Sequence, residues 1–594
     1  MQRACLGPAP QQPSPGGVAR FLELASGARM TSVIAAAGVF LLATLAPFEM
    51  TKPLVRLPWQ AISNLEAVLL LTLATWAAAL AWVRRGVGWG PHAHLGRAGA
   101  VFLAAMAIAA AVAPSAQLNA WHMTGRLVAA AAVYRLTVDG LTTERRLRTA
   151  LSLSVASGVL VAALAMLESA QVDVVLRWLQ AFRPSVSVVG AQVRAGGPLQ
   201  YPTIASMYLE VVFAFGLGLL LAAVDASSRL RTALWFLALA AIGGAITLTF
   251  TRAGLITMAA SVLLVGAARA TRRGLDTGTV LLAALSVVVV GFFVSSRSAQ
   301  SLWLRFTTEG QDTWYRARID APKSLSMATG DERRIPIEVT NTGRLVWDSA
   351  EDPPILVSYH WLAENGDRVV AFNGARTAFD RPVEPGETAT VHALVRAPHR
   401  PGAYQLEWDV LQEGLLWFST EQGALPSTVS LATVTGESTG ESFITTDRPR
   451  PAVRPGRLVL WRAAARMIAA HPFLGVGPDN FRLLYGPYAG LQNADARTHS
   501  NNMYLEVLVS GGLVAAIAFV WFLREAVTVF VSSCKSIDPR RVAVAAAGVA
   551  IVLHALFDSF ISFAPTYILF SLTLGFAAAV PRGAVEPAAD AHRL

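Results

Sequence analysis

The residues whose types and spacing suggest chemistry lie between positions 457 and 512. His499 stands in the run THSNN, and a long apolar segment follows directly from Met503. Because the pKa of an imidazole lies near neutrality, such a side chain can accept a proton from a hydroxyl group and later release it. The position of His499, where a polar loop meets an apolar segment, predicts a catalytic or substrate-positioning histidine. We expect Asn502 and Tyr504 to support it by capping the next helix and orienting the ring.

Three arginines stand beside turns or helix ends. Arg194 precedes a Gly-Gly-Pro turn, Arg252 separates two apolar runs with almost no loop, and Arg457 opens a helical pattern. A guanidinium stays charged and can bind two oxygens of an anion at once, so these side chains are candidate anion ligands. For each of them the alternative is contact with the phosphates of the lipid head groups. Arg462 and Arg466 lie on the same predicted helix as Arg457 and could take its place.

Motifs of several other chemistries are absent from the sequence. It contains no phosphate-binding Gly-x-x-x-x-Gly-Lys-Ser/Thr loop, no closely spaced cysteine pair, no HExxH motif and no Asp-x-Asp motif near an apolar segment. These patterns would indicate nucleotide hydrolysis, a zinc site or metal-dependent transfer from a nucleotide sugar. We therefore predict neither a metal ion nor a cofactor.

The composition is that of a membrane protein. Of the 594 residues, 54% are hydrophobic and 15% are charged, and the mean hydropathy is +0.47, whereas soluble domains are about one quarter charged. The net charge of +10 would suit nucleic acid, but arginines at cytoplasmic helix ends explain it, so we predict no nucleic-acid partner. Cys5 and Cys534 are too far apart to indicate a disulfide framework. No cleavable signal peptide is evident, so the first apolar run is expected to stay in the membrane.

Hydropathy predicts a polytopic α-helical membrane protein with about twelve transmembrane helices. The apolar runs are 31–48, 62–83, 98–114, 119–138, 149–167, 204–224, 232–250, 253–270, 279–295, 503–531, 542–558 and 561–580. With the N-terminus in the cytoplasm, nearly every basic cluster between these runs falls on the same side, for example Arg84 with Arg85 and Arg145 with Arg146. The long polar gap at 296–502 is then extracytoplasmic.

The gap contains a predicted all-β domain at 312–437. Alternating runs such as RIPIEV, TATVHALV and AYQLEWDVL are separated by turn signals, which is typical of an antiparallel sandwich. The pieces NTG…W, PGE and PGxYxLxW resemble Ig-like modules with four tryptophans. These tryptophans are Trp347, Trp361, Trp408 and Trp417. They could bind glycan, but we favour a place in the core of the domain.

The other predicted segments flank this domain and the apolar runs. They are a cytoplasmic tail at 1–30, a membrane domain of about nine helices at 31–295, a connector at 296–311, a polar linker at 438–456, a periplasmic motif loop and helix at 457–502, a membrane domain of about three helices at 503–580 and a cytoplasmic tail at 581–594.

Several pieces in the second half of the chain together resemble the O-antigen ligase/polymerase family of bacterial membrane glycosyltransferases. They are Arg457 with Trp461, the turn HPFLGVGPDNF, and the block HSNNxYLExLxxxG that runs from His499 to Gly511. Arg252 at its helix junction is similar to the family, and Arg194 in its Arg-x-x-Gly turn is similar more loosely. The resemblance covers the membrane part of the chain and leaves 310–440 unexplained.

The resemblance implies an enzyme at the periplasmic face of the bacterial inner membrane. It would move a glycan from undecaprenyl diphosphate to a sugar hydroxyl of the lipid A core or of a growing polysaccharide, with inversion and without a metal ion. His499 would take or orient the proton of the hydroxyl group. Arg194, Arg252 and Arg457 would hold the diphosphate leaving group.

Three alternative functions remain open. An O-antigen or exopolysaccharide polymerase and a protein O-oligosaccharyltransferase belong to the same family, and the sequence does not separate them from a ligase. A transporter of lipid-linked glycans belongs to another class and would also be polytopic. Transporters commonly have two related halves, and no internal repeat is evident in this chain.

Overall fold

The computed structural model describes most of the chain, namely residues 15–56, 61–83, 92–183, 187–189, 192–308, 313–421, 428–438, 448–449, 455–491 and 494–579. Several predicted features lie outside these residues: Cys5, Arg84, Arg85, residues 1–14 of the predicted tail 1–30, most of the predicted linker 438–456 and the predicted tail 581–594.

Helices occupy all twelve of the predicted apolar runs. Helices α1 to α17 are, in chain order, Pro15–Leu45, Asn64–Trp82, Ala93–Ala111, Gln117–Gly140, Glu144–Ser169, Asp173–Leu179, Pro202–Asp225, Arg229–Leu248, Arg252–Arg273, Thr277–Ser295, Ala299–Thr307, Phe418–Glu421, Arg457–Ala470, Phe481–Ala489, Met503–Cys534, Pro539–His554 and Ala564–Ala578. The first helix begins at Pro15, earlier than the apolar run itself, and proline is well suited to a first helical turn.

Within the described residues, eight helices are long and apolar enough to cross a membrane. They are α2, α3, α5, α7, α8, α9, α10 and α15. The apolar part of α1 and the whole of α17 are shorter, α16 has only 16 residues, and α4 carries Arg126, Arg135 and Asp139. A polytopic membrane protein is therefore confirmed, and the total of twelve spans stays a prediction.

A separate β region lies between α11 and α13, with its strands between residues 317 and 435 and one further short strand at 448–449. Strands β1 to β15 are, in chain order, Val55–Arg56, Ala61–Ile62, Ser187–Val189, Gln192–Arg194, Ala317–Asp320, Ser324–Ala328, Glu332–Asn341, Ile355–Ala363, Arg368–Ala371, Thr377–Ala378, Thr388–Arg396, Gly402–Gln412, Leu416–Trp417, Val429–Thr435 and Arg448–Pro449. One sheet has the order β11-β7-β5, and the other has the order β15-β9-β8-β12-β14-β6. In β7 the buried residues alternate with exposed ones, as expected for a strand with one face on a core.

The core between these sheets is aromatic. Trp347, Trp361 and Trp408 are at most 2% exposed, whereas Trp417 is half-buried and its ring lies under the guanidinium of Arg376. Three of the four predicted tryptophans thus fill the core. The likeness to Ig-like modules stays a prediction.

Helix α7 is the centre of the membrane part, with nearly all of its side chains buried. It packs against α5, α8, α9 and α16, and α9 packs against α16 as well. The N-terminal ends of α7 and α9 and the C-terminal end of α16 meet on one side of the bundle. Residues 555–563, which we call the 555–563 turn, connect α16 to α17 on that side.

The predicted apolar run 503–531 is one helix with an interruption. Gly512 has a φ of +60°, a conformation that favours glycine. The turn that follows α13 fills the interruption, since the N–H of Leu513 donates to the Pro472 carbonyl and the N–H of Val476 donates to the Val509 carbonyl, both at 2.9 Å. The HPFLGVG turn is therefore joined to the helix that carries the next motif.

Candidate active site

The loop that carries His499 is fixed from two sides. The indole nitrogen of Trp461, on α13, donates to the Ser500 carbonyl at 3.0 Å. Glu506, in the first turn of α15, accepts from the N–H of Ser500 at 3.1 Å and from its hydroxyl at 2.5 Å. These bonds give His499 a defined position at the start of α15.

His499 lies among three carboxylates, those of Glu506, Asp479 and Asp558. Its Nδ1 lies 3.7 Å from Oε1 of Glu506 and 3.8 Å from Oδ1 of Asp479. Its ring meets that of Phe563 edge to face, with centroids 5.6 Å apart. Burial disfavours a charge on the imidazole, but Glu506, Asp479 and Asp558 together outweigh this effect and raise the pKa of His499. The site therefore stabilises a proton on this ring.

Asn502 and Tyr504 have different surroundings. The side-chain oxygen of Asn502 accepts from the N–H of Leu505 at 3.0 Å, so Asn502 caps α15. Its amide nitrogen donates to the Leu556 carbonyl at 3.0 Å. The hydroxyl of Tyr504 donates to the Val552 carbonyl at 2.9 Å, so this residue joins α15 to α16, and its part in orienting the imidazole stays a prediction.

Arg194 ends β4 beside a turn that is built around Glu168. One carboxylate oxygen of Glu168 accepts from the N–H groups of the two glycines that follow Arg194, at 3.0 and 2.9 Å, and the buried carboxylate also pairs with Arg183. The guanidinium of Arg194 donates to the Thr249 carbonyl at 2.9 Å and to the Thr251 hydroxyl at 3.1 Å. These bonds place Arg194 next to the start of α9.

Arg252 and Arg457 are each anchored to backbone carbonyls. Nη1 of Arg252, the first residue of α9, donates to the Thr308 carbonyl at 2.8 Å and to the Arg305 carbonyl at 3.3 Å. Nη2 of Arg457, the first residue of α13, donates to the Phe557 carbonyl at 3.2 Å. Both side chains are therefore held at helix ends on the side of the bundle where His499 lies.

Four arginines come together there, and we call them the arginine cluster: Arg194, Arg252, Arg305 and Arg457. Burial, together with the charges of the other three, lowers the pKa of Arg305 to about 8. Burial, followed by the charges of Arg457 and Arg297, lowers the pKa of Arg194 to about 10. Buried like charges are unfavourable unless a counter-charge is present, so this arrangement favours the binding of an anion.

Asp558, in the 555–563 turn, connects the two halves of the site. It is 8% exposed, and its charge raises the pKa of His499 and opposes the lowering of the pKa of Arg194 and Arg457. A single carboxylate is thus close enough to act on both the histidine and the arginine cluster.

The sequence analysis missed Arg305 and Asp558. Arg305 stands in the amphipathic run SLWLRFT after an apolar segment, and Asp558 is a charge at the end of the apolar run 542–558, close to the start of the next run. A charged side chain where two apolar runs meet is costly unless it has a partner. The sequence alone therefore indicated that Asp558 has a partner in the fold. Of the three arginines on α13, Arg457 reaches the cluster, whereas Arg462 and Arg466 are exposed.

The fold and the site define a membrane protein with a buried histidine near carboxylates and beside clustered arginines. Residues 423–520 match the family model described as Wzy_C: O-Antigen ligase. The resemblance to the O-antigen ligase/polymerase family is therefore confirmed, and members of this family are glycosyltransferases or ligases. The matched segment contains Arg457 and His499 and ends before Asp558. No curated protein matches the chain, and no group of three or more metal-binding side chains occurs among the residues described in the structure.

Proposed function

We propose that this protein is an O-antigen ligase-like glycosyltransferase. It moves a glycan from undecaprenyl diphosphate to a sugar hydroxyl of the lipid A core or of a growing polysaccharide, at the periplasmic face of the inner membrane. The observation that carries the proposal is the arginine cluster beside His499, since the reaction needs an anion site next to a proton acceptor.

The reaction is a single displacement. The acceptor oxygen forms a bond to the anomeric carbon of the donor glycan while the bond from that carbon to the diphosphate oxygen breaks, which inverts the configuration. The electron pair leaves with undecaprenyl diphosphate. The proton of the hydroxyl passes to Nε2 of His499, because Nδ1 is turned towards Glu506 and Asp479. The carboxylates stabilise the imidazolium that forms.

The arginine cluster supplies the positive charge that the leaving group needs. As the bond to the diphosphate breaks, negative charge builds up on its oxygens, and fixed guanidinium groups in a buried site lower the energy of that state. Arg194, Arg252 and Arg457 are held by backbone or hydroxyl groups at 2.8 to 3.3 Å. They are therefore oriented before the substrate arrives. Arg305 is a fourth member with the same role.

An apolar groove supports a substrate that carries a hydrocarbon chain. Its volume is about 380 Å³, and side chains of α3, α4, α15 and α17 line it. Met503 and Ile561 line the groove next to the His499 loop. Leu95 lines the other end of the groove and lies near the N-terminal end of α3. The groove thus runs along the helices from the side of the bundle where the His499 loop lies, as a polyprenyl chain would require.

Transfer by the purified protein tests the proposal. Synthetic undecaprenyl-diphosphate glycan is offered with a lipid A core acceptor, and separately with a second copy of the glycan, so that ligation and polymerisation give different products. We expect an inverted glycosidic bond by NMR, formed in excess EDTA. Loss of transfer in EDTA and its recovery with Mg²⁺ or Mn²⁺ would contradict the role given to the arginines.

A further inference from the structure

Glu210 is a carboxylate inside the helix bundle that the proposed reaction does not use. It lies in the third turn of α7 and is 0% exposed. Both of its oxygens lie 2.9 Å from Nδ1 of His554, the last residue of α16. One of them also accepts from the hydroxyl of Thr257, on α9, at 2.6 Å. Ionisable groups in the interior of a membrane protein are costly and commonly have a function.

The Glu210 carboxylate joins three helices that each have an end at the site. Helix α9 begins at Arg252, five residues before Thr257, which is a rise of about 7.5 Å. Helix α7 begins just after the turn that carries Arg194. The helices α7 and α9 also approach closely here, since a Cβ on Gly254 would lie 1.8 Å from Oγ of Ser206. Because Arg252 and Arg194 lie at the starts of these two helices, a small shift of α9 along α7 would move Arg252 relative to Arg194.

The third helix, α16, leads directly into the 555–563 turn, and this turn is a centre of contacts in the site. The carbonyls of residues 555, 556 and 557 accept, in order, from the N–H of Met503 at 2.8 Å, from the side chain of Asn502 at 3.0 Å and from Arg457 at 3.2 Å. Asp558 follows in the chain. The carboxylate that holds the end of α16 thus also holds the turn that contacts the His499 loop and the arginine cluster.

We propose that Glu210 is a positioning residue for the arginine cluster. By binding His554 and Thr257 it fixes the positions of α7, α9 and α16 along their axes relative to one another. It thereby sets the spacing of the guanidinium groups that receive a diphosphate. Apolar contacts between membrane helices specify such axial positions poorly, whereas a buried polar group makes its hydrogen bonds in only one arrangement of the helices. This inference rests on the proposed function.

The test measures the binding of undecaprenyl diphosphate to the full-length protein in nanodiscs. We expect Glu210→Ala to weaken binding by about tenfold or more, since His554 then loses its carboxylate and the Thr257 hydroxyl keeps only carbonyls of its own helix, at 3.0 and 3.1 Å. Glu210→Gln keeps both contacts without the charge and should stay within about threefold. The matched control is Asp225→Ala at the other end of α7, because Asp225 pairs with Arg269 and Arg273 at 2.8 Å. It should bind within about twofold of the wild type.

Kinetics separates positioning from a general loss of folded protein. Glu210→Ala should raise the KM for the lipid-linked donor and leave the KM for the acceptor unchanged, whereas a smaller folded fraction would lower only the apparent kcat. Thr257→Val replaces a hydroxyl by a methyl group of the same shape, and it should weaken donor binding by about threefold even if the alanine variant does not fold.

The outcomes separate the positioning role of Glu210 from the proposed glycosyltransferase function. If the wild type binds undecaprenyl diphosphate and neither Glu210→Ala nor Thr257→Val weakens binding, the positioning role is wrong while the proposed function stands. An equal effect of Asp225→Ala would also overturn the positioning role. If the wild type does not bind undecaprenyl diphosphate, the proposed function fails and the inference fails with it.

Discussion

The protonation of His499 is expected to set how the reaction responds to pH. A general base must be neutral to accept a proton, so the rate should rise with pH through the pKa of His499, which its carboxylates raise above 6.5. Glu506→Gln removes one negative charge and keeps an oxygen that can accept from Ser500. We expect the acid limb of the kcat/KM profile to move to lower pH in this variant. Glu525→Gln, near the other end of α15, is the control, and an unmoved limb in Glu506→Gln would contradict the role of His499 as base.

Single members of the arginine cluster should each matter for the chemical step. Arg252→Ala is expected to lower kcat/KM on the order of a hundredfold, the scale for losing one electrostatic contact to a transition state. Arg252→Lys should also be impaired, because an ammonium cannot make a paired contact with phosphate. Arg305→Ala should behave like Arg252→Ala, while the exposed Arg466→Ala should keep full activity. Wild-type rates in both alanine variants of the cluster would remove the basis for the anion site.

At this same scale the sequence predicts only part of the site. His499 and Arg457 stand in motifs within one segment, so their types and spacing were sufficient to single them out. Arg305, Asp558 and Glu210 come from three other segments, and what makes each of them relevant is which side chains of distant segments it lies near in the fold. A single sequence holds no record of those distances.

Among the elements, the interruption of α15 can be tested by itself. A Cβ on Gly512 would lie 2.3 Å from the backbone carbon of Phe473, and the positive φ is also unfavourable for alanine. Gly512→Ala should therefore lower the free energy of unfolding by about 1–3 kcal/mol and move the HPFLGVG turn away from α15. Thermal melting of the purified protein measures the first effect, and kcat/KM measures the second. Gly125→Ala on α4 is the control, since its Cβ would meet nothing within 4 Å.

Hydropathy predicted where the helices lie but not how they are interrupted or joined. A run of apolar residues is stable in the membrane whether its helix is continuous or interrupted. The composition of the run 503–531 therefore gave no sign of the break at Gly512. The break exists because the turn after α13, which is distant in sequence, supplies bonds to Leu513 and Val509. The contact of the Tyr504 hydroxyl with the Val552 carbonyl of α16 depends on the fold in the same way, because a single sequence does not show which helix that hydroxyl reaches.

The topology of the whole molecule can be measured in intact cells. Ser227, just after α7, and Ser438, just after β14, are both exposed, and they lie on opposite sides of the membrane if 296–502 is extracytoplasmic. Replaced singly by cysteine, position 438 should react with an impermeant thiol reagent and position 227 should not. Reaction at 227 alone would invert the topology and would place the candidate site in the cytoplasm.

The β region should contribute to the rate without being required for it. Its sheets enclose their own core, so we expect transfer to be reduced but measurable when 312–437 is replaced by a flexible linker. The reduction has a specific cause: the indole of Trp314 donates to the Thr308 hydroxyl at 2.5 Å, while the carbonyl of Thr308 accepts from Arg252. Trp314→Phe removes this one hydrogen bond and should lower kcat/KM by less than about tenfold. Complete loss of transfer by the linker variant, despite normal membrane insertion, would instead make the β region part of the active site.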